Sequence, residues 1–486
     1  MSSEKNQVMS GLAWKFSERI STQGVTFILQ VVLARLLLPE QYGVIAMINV
    51  FIALANVFVV SGFSTSLIQK KDADDLDFST IFYCSLIVAG LLYSVLFFAA
   101  PYISDFYNMP LLTPVMRVYS LSLILYSYNS VQQAYVSRHM MFRKFFYSTL
   151  SGTIISGIAG VVMAYLGYGV WALVAQYLLN IIINSVVLRG IIEWRPRWIF
   201  SWNRAKKLMK YGSNILGASL IGQIFDELRQ LLIGKYFTPA DLAFFNRGRS
   251  LPHLVSSNID SSINQVLFPA MSNHSDNPEE IKRMTRRSIK VSSYVMYFFM
   301  TLLAVASKPI IILLLTEKWE PAVPYMQMIC ISSMVAIMST ANMQAIKASG
   351  RSDILLKLEF WKKPVFLLLL IFAVRHSVMA VALTMPLYSI YAAIVNMLPN
   401  KKILGYGISE QLRDQMPAIL LSIACTICAL PILNLSINDF VIMFLQIIVC
   451  TLIYIGGSIL FKVETYRYIK ETIIETINRK RQCRER

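Results

Sequence analysis

Ionisable and amide side chains recur on one face of several otherwise apolar stretches of this chain. In the first stretch Lys15, Arg19, Gln23, Thr26 and Gln30 fall within roughly 80° of arc at a helical pitch. A later stretch carries Ser219, Gln223, Asp226, Glu227 and Gln230 in a comparable stripe, with Arg229 at its edge. The next one carries Asn246, Arg249, His253, Ser257, Asp260 and Asn264 at three- and four-residue steps, with Arg247 beside them. A fourth adds Arg117 near one end, then Tyr128 and Gln132. Arginine offers a planar fork of donors that binds oxyanions bidentately and stays charged at any working pH. The four arginines Arg19, Arg117, Arg247 and Arg249 therefore suit an anionic ligand, and Lys15 adds a further cation. Asp226, Glu227 and Asp260 are candidates for holding a coupling cation or proton.

These stripes belong to a membrane protein. The chain has 486 residues, 56% of them hydrophobic and 15% charged, with a mean hydropathy of +0.56. Apolar runs near the ~20 residues needed to cross a bilayer recur from end to end, about fourteen in all. They centre near Phe27, Phe51, Leu91, Leu123, Ile155, Val174, Leu220, Ser256, Phe298, Met334, Leu368, Leu387, Ser422 and Ile448. The runs at Phe27, Leu220 and Ser256, three of those with polar stripes, are less apolar than a lipid-facing helix should be. Ionisable groups inside a span are costly and usually face the interior of a bundle or a wet cavity. Stripes repeated in this way point to a hydrated cavity rather than to isolated interhelical hydrogen bonds.

The net charge of +18 is sorted along the chain. Lys and Arg gather at Lys5 and Lys15, Lys70-Lys71, Arg138 to Lys144, Arg189 to Lys210, Lys282 to Lys290, Arg351 to Lys363, Lys401 to Arg413, and Lys462 to Arg486. The alternate gaps, around Asp105, Tyr168, Pro239, Trp319, His376 and Asn438, hold few cations. Alternation of this kind is the signature of basic loops kept in the cytoplasm. It makes the charge a topology signal and gives no reason to expect nucleic acid as a partner. An even number of spans with basic ends places both termini in the cytoplasm. No cleavable signal peptide is expected, because the polar Met1 to Ser10 leads straight into a full-length span.

Residues repeat at an offset of 200: Gln23, Gln30 and Pro39 align with Gln223, Gln230 and Pro239, and Arg35 with Lys235. The repeat predicts two parallel six-helix lobes related by a pseudo-two-fold axis along the membrane normal, around a central cavity. The expected divisions are 1-205, 206-403, and 404-486, the last comprising two further spans and a basic tail. At the joint, Trp194, Trp198 and Trp202 have helical spacing among Arg195, Arg197 and Arg204, which suggests an elbow in the headgroup layer. The tail from Val463, with Tyr466, Ile469, Ile473 and Ile477 ahead of Arg479-Lys480-Arg481, reads as an amphipathic helix near anionic lipid.

Enzyme signatures are missing: there is no P-loop, no GxSxG and no metal-ligand cluster, so neither a cofactor nor a metal is expected. Cys425 and Cys428 match CxxC, but they sit in an apolar run without a second ligand pair, which argues against a zinc or redox role. The gaps assigned to the outside are short, which disfavours a membrane-embedded glycan polymerase.

Several strings resemble the bacterial polysaccharide transporter family of the multidrug/oligosaccharidyl-lipid/polysaccharide exporter superfamily. They are Leu67 to Asp72, Ala100 to Tyr107, Arg138 to Phe142, Gly167 to Val174, Tyr211 to Asn214, Leu232 to Lys235, Phe245-Asn246-Arg247 and Val266 to Ala270. The resemblance implies an all-α fold of two six-helix bundles with extra C-terminal helices. It implies an activity of flipping polyprenyl-diphosphate-linked oligosaccharides between leaflets, with membrane lipids, a polysaccharide polymerase and a chain-length regulator as further partners. It carries over no site residue, so the candidates remain those of the stripes. Gln, Asn, Tyr and Ser would supply the hydrogen bonds that sugars need. A drug/cation antiporter of the same superfamily and a peptidoglycan-precursor flippase are the competing readings, and the cavity arginines disfavour the first.

Overall fold

The computed structural model describes residues 2–61, 67, 73–274 and 276–482. Lys70-Lys71, most of the Leu67 to Asp72 string and Cys483 lie outside the described residues, as do the side chains of Tyr211 to Asn214. Among the described residues every regular element is a helix, and there is no strand. The first helices are α1 (Ser2–Leu36), α2 (Pro39–Asn56), α3 (Asp75–Tyr107), α4 (Leu112–Tyr119), α5 (Leu121–Arg138), α6 (Phe142–Tyr165), α7 (Val170–Ile191), α8 (Trp202–Tyr236) and α9 (Pro239–Ser272). The remainder are α10 (Pro278–Val305), α11 (Ser307–Leu315), α12 (Val323–Ala348), α13 (Ser352–Ala373), α14 (Val378–Leu404), α15 (Ile408–Ala429), α16 (Asp439–Leu460) and α17 (Glu464–Gln482). In hydrocarbon every backbone N–H and C=O must find an internal partner, so a chain this apolar resolves into helices.

Each of the fourteen span centres falls in a different helix. By length and composition, 9 helical segments among the described residues can cross a membrane unaided. α1, α5, α8, α9 and α13 are not among them, and four of these five carry the polar stripes. The repeat is visible in the backbone: α1 ends at Leu36 and α2 opens on Pro39, while α8 ends at Tyr236 and α9 opens on Pro239. Proline suits the first helical position because its missing N–H has no partner there to lose.

The chain divides into two compact units, Met1–Ala243 and Phe244–Arg486. In the first unit α6 packs between α1 and α7. Glycines allow the approach: a Cβ at Gly157 would meet Leu29 Cδ1 at 2.1 Å, and one at Gly160 would meet Gln176 at 2.9 Å. Amides tie α5 to α7 and α6, as Asn129 Nδ2 donates to Asn184 Oδ1 at 3.1 Å and Ser148 Oγ donates to the same oxygen at 2.8 Å. Such bonds hold membrane helices together where apolar packing gives no solvent-driven gain. α8 also belongs to this unit, packed on α2 and α3, with Gly234 set against Tyr107 and Met47. Compactness thus divides the chain later than the sequence repeat does, because the helix expected to open the second lobe packs on the first helices.

The joint before α8 differs from the expected helical elbow. Residues 192–201 are non-helical, with a bend at Trp198, and Pro196 disfavours helical backbone at Arg195. The backbone N–H groups of Arg197 and Ser201 donate to Ser79 and Thr80 at the start of α3. Trp194 turns inward against Phe78, at 4% exposure, whereas Trp198 is 95% exposed. Of the three tryptophans at the joint, Trp198 and Trp202 are therefore the ones exposed to meet headgroups.

In the second unit α12 packs between α10 and α14. Asn342 Nδ2 donates to Gln411 Oε1 at 2.8 Å, and Asn400 Nδ2 donates to the Asn342 carbonyl at 3.2 Å. α15 and α16 pack on α10, where Tyr454 Oη donates to the Tyr294 carbonyl at 2.8 Å. α17 is a separate helix after α16, as its amphipathic pattern predicts.

Candidate functional site

The polar stripe of α8 is a connected ladder. Gln223 Nε2 donates to Glu227 Oε1 at 2.8 Å, and Gln230 Nε2 donates to Glu227 Oε2 at 2.6 Å. Residues 223, 227 and 230 share a face at four- and three-residue steps, so both oxygens of one carboxylate are met from a turn on either side. Asp226 is exposed and takes no part in that ladder.

On α1, Lys15 is exposed, pairs with Glu18 at 3.1 Å and places its Nζ 4.3 Å from the Phe145 ring centroid on α6. Arg19 and Gln23 are half-buried further along, and Gln30 is exposed. Arg19 has no ion pair with a described residue. Arg117 lies on α4, where it donates through Nε to the Phe97 carbonyl at 3.3 Å and stacks 4.3 Å above the Phe97 ring. Those contacts tie α4 to α3. Gln132 is wholly enclosed, at 0% exposure, and neither of its amide atoms has a hydrogen-bond partner among the described residues.

On α9, Arg247 lies 5.5 Å over the Trp319 ring. Arg249 is half-buried and has no ion pair with a described residue. Asp260 accepts a hydrogen bond from the Thr340 hydroxyl at 2.8 Å, and Asn264 accepts one from the Gln344 amide, both on α12. Thr340 and Gln344 are partners of the candidate stripe that the sequence reading missed. Their four-residue spacing matches that of Asp260 and Asn264, which was the available signal.

At the head of α3, Asp74 and Asp77 cap the helix reciprocally, with Asp77 N donating to Asp74 Oδ1 at 3.0 Å and Asp74 N to Asp77 Oδ2 at 3.2 Å. Arg204 from α8 pairs with both carboxylates, 3.2 Å from Asp77. Desolvation alone would raise the Asp74 pKa. Its hydrogen bonds to Arg204 and Asp77 outweigh that and hold the carboxyl at about 2. This clamp fixes the joint and needs no ligand.

Long helices of this length, carrying charged and amide stripes, define an all-α, multi-pass membrane protein of the transporter type. The profile of the polysaccharide biosynthesis protein family matches residues 32–324, and the chain belongs to that family. The chain is 22% identical over 357 residues to the succinoglycan biosynthesis transport protein ExoT of Rhizobium meliloti (strain 1021), covering 73% of this chain and 71% of that one. With the teichuronic acid biosynthesis protein TuaB of Bacillus subtilis (strain 168) it shares 25% over 439 residues, covering 86% and 87%. Among solved structures, the lipid II flippase MurJ in an inward closed conformation superposes with a TM-score of 0.75 at 15% identity, covering 95% of this chain and 99% of that one. The fold is therefore the two-lobed, all-helical one of that flippase.

Proposed function

We propose that this protein flips polyprenyl-diphosphate-linked oligosaccharide units from the inner to the outer leaflet of the bacterial cytoplasmic membrane, for the synthesis of a cell-surface polysaccharide. Arginines inside membrane helices carry this reading. Arg19 on α1 and Arg249 on α9 pair with no described carboxylate, although an unneutralised charge in a span is costly. A diphosphate would supply the missing anion, and the Gln and Asn groups of the same stripes suit its sugars. The lipid tail would stay in the bilayer while the headgroup follows the polar path. The family and the names of its relatives support a polysaccharide cargo, and the fold suits alternating access. A drug antiporter would instead favour carboxylates as its binding groups, whereas these stripes also offer Arg19 and Arg249. Asp226, Glu227 and Asp260 are the candidates for holding a coupling ion.

The reading places both termini in the cytoplasm and makes lipid-linked glycan the partner, with a polymerase and a chain-length regulator downstream. Translocation of fluorescent lipid-linked oligosaccharide in proteoliposomes tests it. Arg19→Ala and Arg249→Ala should each lower the rate at unchanged protein level, at a cost of about 1.5–3 kcal/mol for a charge-assisted contact. Arg→Lys should restore only part of it, since the fork is lost. Parental rates in both alanine variants and in their combination would remove these two residues as the anchor.

A further inference from the structure

A cavity of about 530 Å³ opens between α10 and α17, lined by Arg283, Arg286, Arg287, Lys290, Glu464 and Tyr468, with the buried Thr465 in its wall. The four cations lie at positions i, i+3, i+4 and i+7 of α10 and share one face. Two of them are fixed. Arg286 Nε is 2.7 Å from Asp414 Oδ2, and Lys290 Nζ is 2.8 Å from Glu464 Oε2, which commits the only carboxylate among the described lining residues. The other two keep donors. Arg283 is 77% exposed and, among the described residues, pairs only with Glu280 one turn back. Arg287 stacks 3.7 Å from the Tyr468 ring centroid and pairs with no described carboxylate. A guanidinium backed by a ring has one face occupied and its N–H edge free, which is the geometry for gripping phosphate oxygens.

The cavity also lies at a defined depth. Beyond Lys290, α10 continues as the apolar run from Val291 to Val305. Three residues separate the end of α16 at Leu460 from the start of α17 at Glu464, and Leu460 and Phe461 are each 75% exposed. Lys462, at φ 49°, makes the turn between the two helices. Two membrane-spanning helices therefore leave the bilayer beside this cavity, so its cations stand at headgroup level on a basic side of the chain.

We propose that the α10–α17 cavity binds the phosphate headgroup of a membrane lipid, with Arg287 and Arg283 gripping the phosphate and Tyr468 orienting Arg287. The site is separate from the polar stripes and does not depend on the flippase reading. Two lipids present this chemistry: an anionic glycerophospholipid and a polyprenyl diphosphate.

Native mass spectrometry of the full chain in detergent, titrated with each lipid, tests the site without any transport readout. Phosphatidylglycerol or sugar-free polyprenyl diphosphate should remain bound to the parent, and whichever is retained names the source. Arg283→Gln with Arg287→Gln should weaken that binding on the order of tenfold per guanidinium removed. Tyr468→Leu, which keeps every charge, should weaken it less. Both variants should unfold at the parental temperature in lipid-free detergent. Equal retention by parent and double variant overturns the proposal. So does equal retention of phosphatidylcholine, or binding of inorganic phosphate with neither lipid retained.

Discussion

The Pro239 carbonyl faces Gly43 so closely that a Cβ on Gly43 would lie 1.9 Å from its oxygen. The start of α9 therefore rests on α2 only because residue 43 has no side chain. The blocking atom is backbone, which no rotamer change can move. Gly43→Ala should destabilise the protein by about 1–3 kcal/mol, the usual range for forced overpacking. Gly24→Ala is the control, because a Cβ there meets nothing within 4 Å. It should be neutral or stabilising, by up to about 1 kcal/mol from helix propensity. Thermal unfolding in detergent followed by size-exclusion chromatography reads both, and equal midpoints for the two variants would contradict the contact.

Glu227 accepts from an amide on each side, so Gln at 227 keeps the size of the group and, once one neighbouring amide flips to accept from it, both hydrogen bonds, while removing the charge. Glu227→Gln should leave abundance unchanged and abolish the response of lipid-linked oligosaccharide flipping to an imposed Na⁺ or pH gradient. Asp226→Asn should leave that response intact, since Asp226 lies outside the ladder. An undiminished response in Glu227→Gln would mean that the ladder is structural and that transport is driven by voltage. Moving an anion out of a negative interior gains about 2.3 kcal/mol per charge per 100 mV.

The Asp74–Arg204 clamp has a defined pH window. The Asp74 pKa is depressed in the folded protein to about 2. Its stabilising effect is therefore complete above the unfolded carboxylate value, about 3.9, and is lost as pH falls through the folded value. Arg204→Gln should lower the unfolding midpoint by the same amount at all pH values from about 5 to 8. The difference from the parent should shrink only below about pH 4. A difference that changes between pH 6 and 8 would mean that another group titrates in the clamp.

Topology is testable at two exposed positions. In a cysteine-free background Tyr168→Cys, between α6 and α7, should react with an impermeant thiol reagent from outside intact cells. Lys402→Cys, at the end of α14, should react only after permeabilisation. Both side chains are exposed, so a lack of reaction reports sidedness and not burial. The reverse pattern would invert the chain and remove the cytoplasmic placement of the basic loops.

Fourteen helices were legible in the sequence because hydrocarbon leaves a backbone no other way to satisfy itself, and the length of an apolar run is a local property. The Pro39 and Pro239 turns were legible for the same reason, since proline sets a helix start without help from distant residues. Partner choice was not. Asp226 and Glu227 are adjacent, about 100° apart around a helix, and only the folded rotamers show that Glu227 joins Gln223 and Gln230. Trp194 and Trp198 looked equivalent, yet the joint around Pro196 is non-helical, with one ring packed inward and the other outward. Arg117 could have faced a cavity, but Phe97, twenty residues earlier, offers its ring and its carbonyl. α8, which a repeat assigns to the second half, packs on α2 and α3, with Gly234 close against Tyr107 and Met47. Period and composition decide where a helix forms and which face is polar. Which atoms that face meets depends on side chains brought close by the fold from far along the chain.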